Sequence, residues 1–146
     1  MDLGALLTEM NPLATDIALL VGRVAIGICF MIHAFGKLGW IGDGNLDGFA
    51  SWLADLGVPM PAVQARMAML SELLGGLALT IGFATRPAAV VLIFTMLVAG
   101  MVGHRGAGYL ILNDPPGAEY TINLAVVCFM FLLLGPGAIS LDAMLF

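Results

Sequence analysis

The stretch I-A-L-L-V-G-R-V-A-I-G-I-C-F-M-I-H-A-F-G-K, Ile17 to Lys37, decides the fold. It is long enough to cross a bilayer as a helix, at about 20 residues per crossing. Its ionisable residues are not scattered. Plotted at about 100° per residue, Arg23, Gly27, Phe30, Ala34 and Lys37 fall in one narrow stripe, with His33 at its edge. Ile28, Ile32 and Phe35 point the other way, toward lipid. A charged side chain inside a span costs at least ~2.5–3.5 kcal/mol on insertion scales, so it faces a bundle interior and takes a partner. The stripe therefore predicts an interior face, and an interior face needs neighbouring helices.

Three more apolar runs supply them. The second, 64–83, has Arg66 at its mouth and Glu72 inside. The third, 87–104, opens on Pro87 at a permitted first helical position and closes at His104 and Arg105. The fourth, 119–136, opens at Glu119 and then carries no charge until Asp142. With the first at 17–37, these predict an all-α four-helix transmembrane bundle, a single membrane domain over 1–146. Ala84, Thr85 and Arg86 form so short a link that the second and third helices must be an antiparallel hairpin.

The one long connection, 36–61, contains Leu46, Phe49, Leu53 and Leu56 at helical spacing, with Asp47, Ser51 and Asp55 opposite. This predicts a short amphipathic interfacial helix over 46–56, stopped by Gly57 and the Pro59/Pro61 pair. It serves either as a peripheral anchor or as a lid over a site in the bundle. Trp40 and Trp52 suit the headgroup level of a membrane.

Composition agrees. The 146 residues are 61% hydrophobic and 10% charged, against about 25% charged in ordinary soluble domains, and the mean hydropathy is +1.05. A soluble enzyme and a disordered chain are excluded. Five Lys and Arg against ten acids leave no basic footprint for nucleic acid. Cys29 and Cys128 lie in separate apolar runs without a C-x-x-C spacing. The opening 1–16 has acids where a signal peptide has a basic region, so the first span is expected to remain as an anchor.

The polar residues gather toward one leaflet. His33 and Lys37 end the first span, Arg66 and Glu72 begin the second, His104 and Arg105 end the third, and Glu119 and Asn123 begin the fourth. In the second span Ala68, Glu72, Gly76 and Thr80 form an i, i+4 row, which puts Glu72 at a close helix contact. Such an asymmetry is what a site near one face looks like. It is equally what structural pairs would give, Glu72 with Arg66 or His33 and Glu119 with Lys37 or Arg105. Arg23 lies on the opposite side, where Asp142 is its expected structural ion-pair partner. Lys37, Arg66 and Arg105 on the loop side against Arg23 and Arg86 on the other are too even to orient the chain.

R-V-A-I-G-I-C-F-M-I-H-A-F-G-K-L (Arg23 to Leu38) resembles the first-span signature of the DoxX family of small membrane proteins. The resemblance continues in L-G-V-P (Leu56 to Pro59), E-L-L-G-G-L-A-L-T-I-G-F-A-T-R (Glu72 to Arg86) and G-P-G-A-I-S-L-D (Gly135 to Asp142). Ala34 departs from it where the family often has Gly, and His104 and Arg105 match no family motif. The resemblance implies a multi-pass protein of a bacterial cytoplasmic membrane. It also implies either a thiosulfate:quinone oxidoreductase-like membrane subunit or membership of oxidative-stress complexes with a sulfurtransferase and a superoxide dismutase.

Four functional readings follow, one of them the transport of a small solute or a proton. In a quinone-linked redox subunit, His33 and Glu72 are the candidate catalytic residues. Lys37, Arg66, His104, Arg105, Glu119 and Asn123 would bind a small anionic sulfur substrate. In a scaffold or assembly subunit without enzymatic activity, a soluble sulfurtransferase or other redox partner docks on the loops and the polar core is structural. In a haem or metal bundle, His33, Glu72, His104 and Glu119 supply one ligand from each helix. Beyond the lipid bilayer and these partners, a homo-oligomer is open to the chain.

Overall fold

The computed structural model describes residues 11–146, so the expectation for the opening 1–16 falls largely outside it. Among the described residues there are six helices and no strand: α1 Pro12–Leu38, α2 Leu46–Asp55, α3 Pro61–Ile81, α4 Thr85–Gly103, α5 Glu119–Leu134 and α6 Leu141–Leu145.

Local caps, rather than hydropathy, set most of the helix ends. α1 begins five residues before the apolar run because the Asn11 side chain accepts the Ala14 N–H at 3.3 Å, and Pro12 is preorganised for a first turn. It stops where Gly39 turns left-handed at φ 75°. α3 likewise starts on Pro61, three residues ahead of the expected boundary. It ends at Gly82, φ 70°, where the Gly82 and Phe83 N–H groups return to the Leu79 and Ala78 carbonyls. Glycine tolerates that backbone without strain. α4 opens at Thr85, so Pro87 is its third residue rather than its first, and the link to α3 is Gly82, Phe83 and Ala84. The short α6, capped by the Ser140 hydroxyl on Ala143 N–H at 3.1 Å, was not anticipated.

α1 packs on α3, α3 on α4 and α4 on α5, with α2 laid on α3. The buried residues of α1 are Arg23, Gly27, Phe30 and Ala34, the stripe read from the sequence. Gly27 and Gly76 make the tightest crossing: a Cβ at Gly27 would lie 2.5 Å from the Gly76 carbonyl oxygen. Phe30, Leu79, Leu92, Met96, Cys128 and Phe131 fill the core. The opposite faces stay bare. Phe94, Leu97 and Met101 on α4 and Ile122, Val126, Phe129 and Leu133 on α5 are all exposed, far more contiguous apolar surface than a soluble monomer shows. α1 and α4 are long and apolar enough to cross a membrane, and α5 is a shorter apolar helix.

At the α3–α4 turn the fully buried Arg23 donates to the carbonyls of Leu79 (3.2 Å) and Ile139 (2.6 Å). Asp142 accepts the N–H groups of Ala84 (2.7 Å) and Thr85 (2.9 Å) and donates its own N–H to Gly82 at 2.8 Å. The two residues thus reach one corner, but they bond to backbone and not to each other. The reason is that the first N–H groups of α4 have no intrahelical acceptor, and the Asp142 carboxylate takes that role. Burial pushes the Asp142 carboxyl up. The Thr85 and Ala84 hydrogen bonds and the Arg23 charge outweigh it and hold the group below its ordinary value.

Candidate functional site

Lys37 and Glu72 form a buried ion pair, Nζ to Oε2 2.6 Å, with side chains 18% and 4% exposed. Helical side chains lean toward the N-terminus. Lys37, on the last turn of α1, therefore reaches back over buried Ala34 to the level of Glu72. Glu72 shares the inward face of α3 with Ala65, Met69 and Gly76. Arg66, offered by the sequence as its partner, lies six positions earlier and about 120° around the helix, and it is exposed. The phenyl ring of Phe49 covers the pair from α2, its centroid 5.1 Å from Lys37 Nζ, a cation–π distance. The short helix thus sits over the polar core as well as at the edge of the bundle.

His33 faces α5. Its imidazole lies against Tyr120, ring centroids 5.1 Å apart and planes at 36°. Among the described residues no protein group hydrogen-bonds the His33 ring or the Tyr120 hydroxyl, so two polar groups stand free beside a satisfied ion pair. Tyr120 was missed by sequence reasoning. The signal was present: a tyrosine, one of two in the chain, directly after Glu119 at the head of a mostly apolar run.

The remaining candidates are placed elsewhere. His104 Nδ1 is 2.7 Å from the Pro116 carbonyl, Glu119 accepts the Ile111 N–H at 3.0 Å, and Asn123 accepts from the Tyr109 hydroxyl at 3.2 Å. All three knit the 104–118 loop, which doubles back through Gly117 N–H to Leu110 (2.9 Å) and Glu119 N–H to Tyr109 (2.7 Å). Arg105 is exposed, and Arg66 reaches no further than the Ala62 carbonyl at 3.4 Å. The four-ligand set His33, Glu72, His104 and Glu119 does not assemble: among the described residues no three metal-ligating side chains gather. The loop backbone has claimed His104 and Glu119.

Above the ion pair a cleft of about 520 Å³ opens between the end of α1 and the start of α2. His33, Gly36, Lys37, Asp43, Gly48 and Phe49 are among its walls.

Lipid-facing apolar helices around a buried charge pair define a small helical membrane protein. The comparisons give its family: the DoxX profile matches residues 18–105, and the chain belongs to the DoxX family. It is 32% identical over 134 residues to "Inner membrane protein YphA" of Escherichia coli (strain K12), covering 88% of this chain and 91% of that protein. No solved structure matches it.

Proposed function

We propose that the chain is one membrane domain in which α1, α3, α4 and α5 span a bacterial inner membrane, and that it acts as a quinone-binding redox subunit. The inner-membrane name of its relative supports the location. The lower apolarity of α3 has a local cause, since Gln64, Arg66 and Glu72 lie in it. The observation that carries the redox reading is the unpartnered His33–Tyr120 pair next to the buried Lys37–Glu72 pair. A quinone headgroup needs donors for its carbonyl oxygens, flat walls and a proton source. The Tyr120 hydroxyl and the His33 ring N–H are the donors, the two aromatic rings are walls, and the Lys37 ammonium, paired with the Glu72 carboxylate, is the proton source. Reduction to the quinol takes two electrons and two protons. A small sulfur compound such as thiosulfate, oxidised on a partner subunit or at the loop face, would supply the electrons.

The test is binding of a short-chain ubiquinone analogue to the protein in lipid nanodiscs, followed by quenching of intrinsic fluorescence. Glu72→Gln and Tyr120→Phe are expected to weaken binding at least tenfold, about 1.4 kcal/mol, while Arg66→Ala and Arg105→Ala leave it unchanged. Wild-type protein that neither co-purifies with quinone nor binds it overturns the reading. A second reading, a scaffold for a soluble sulfurtransferase, is favoured by the apolar tip of the 104–118 loop, where Leu110 is 53% and Leu112 is 92% exposed. Stoichiometric capture of that partner, abolished by Leu112→Ser with quinone binding absent, would support it.

A further inference from the structure

The walls of the loop-side cleft include two helical glycines, of which Gly36 is required neither by backbone angle nor by packing. Gly36 lies within α1, and a Cβ there would meet only the Ile41 carbonyl, at 3.8 Å. Gly48 lies within α2, where a Cβ would crowd the Asn45 side-chain oxygen at 3.3 Å, the oxygen that caps the helix by accepting the Gly48 N–H at 2.7 Å. Glycine within a helix costs up to about 1 kcal/mol relative to alanine, and at Gly36 no contact returns that cost. What the two positions have in common is the cleft, which any larger side chain would narrow. Its inner wall includes Lys37, and behind Lys37 lies Glu72, 4% exposed and otherwise sealed from water. Lys37 is therefore the link between the cleft and the buried carboxylate.

We propose that this cleft is an aqueous proton route, by which solvent on the loop side exchanges protons with Glu72 through Lys37. Its use in quinone reduction rests on the function proposed above; the route itself does not. In each transfer the Lys37 ammonium gives one proton to the Glu72 carboxylate across their 2.6 Å contact. The resulting neutral amine takes one proton from hydronium in the cleft and leaves a water molecule, so a single proton moves inward and no electron moves. The titratable groups facing the pair are His33 and Cys29 of α1, Asp43 at the cleft wall and Tyr120 of α5. α2 presents Phe49 instead of a titratable group. Asp43 gives the mouth a negative charge, which favours hydronium over anions.

Lys37 is the only lysine in the chain, so selective 15N-lysine labelling gives one side-chain signal. In nanodiscs without quinone, the exchange of its Nζ protons with water is expected to be measurable, and at least tenfold slower in Gly36→Leu, which fills the cleft. Glu72→Gln, which removes the group that takes the ammonium's proton, should slow it as well. If the wild-type signal shows no water exchange, or Gly36→Leu exchanges as fast as wild type, the route does not exist. Should Gly36→Leu fail to fold, Gly48→Leu closes the cleft from α2 and decides the question in the same way. Because no quinone is present, a failed quinone titration leaves this result standing. Absent exchange with intact quinone binding overturns the route alone.

Discussion

Alanine at Gly27 and alanine at Gly36 are the same chemical change on the same helix, and the structure predicts opposite signs for them. At Gly27 the new Cβ would lie 2.5 Å from the Gly76 carbonyl oxygen and 2.9 Å from the Thr80 nitrogen, with the Thr80 hydroxyl nearer still. Two of these neighbours are helix backbone and cannot turn aside. Restoring a contact of about 3.5 Å means parting α1 from α3 by about 1 Å, a gap that forfeits a quarter to a half of each dispersion contact along the crossing. Overpacking of this kind costs ~1–3 kcal/mol, and the upper end applies because backbone meets backbone. Setting against it about 1 kcal/mol of helix propensity, the net loss at Gly27 is about 2 kcal/mol. At Gly36 only the Ile41 oxygen at 3.8 Å is met, so the propensity gain of up to about 1 kcal/mol remains. The assay is reversible unfolding by SDS titration in mixed micelles, followed by far-ultraviolet circular dichroism. A Gly27→Ala protein as stable as wild type, or two variants that shift the same way, would refute the close-packing argument.

Three other outcomes follow from the same packing. Lys37→Met leaves Glu72 buried without its partner and should cost about 3–5 kcal/mol; the double variant Lys37→Met/Glu72→Leu should recover most of that loss in the same titration. Arg23→Lys cannot serve both the Leu79 and Ile139 carbonyls with a planar fork, so the loss of one charged hydrogen bond should cost about 1.5–3 kcal/mol. Asp142 has its folded-state acidity held below the ordinary value, so its contribution to stability is fully present above its unfolded value of about 3.9. It is lost as pH falls through the lower folded value, and Asp142→Asn should remove that part of the acid-side decline when unfolding midpoints are compared from pH 6 downward.

The helices and their inward faces were legible in the chain because both are local properties. A span must satisfy its backbone within itself, and a side chain's angular position follows from counting along one helix. Hence the stripe Arg23, Gly27, Phe30 and Ala34 could be read before any neighbour was known. The same counting placed Glu72 at a close contact and carried the family resemblance from Arg23 to Asp142. Boundaries were less legible where a cap overrode hydropathy, as Asn11–Pro12 and Pro61 do.

Partners belonged to the tertiary structure. Which cation meets Glu72 depends on the axial offset of α1 against α3, fixed by the Gly27–Gly76 crossing, and on the backward lean of Lys37; neither is written in the spacing of Arg66 or His33. Asp142 took the orphan N–H groups of α4 instead of Arg23 because the chain after α5 returns to the α3–α4 turn. His104 and Glu119 bind a loop whose fold depends on contacts between residues far from either helix axis. Tyr120 joins His33 because α5 closes against α1 at that height. A sequence fixes the angle of a residue on its own helix, whereas its distance from a residue on another helix depends on how all the helices pack.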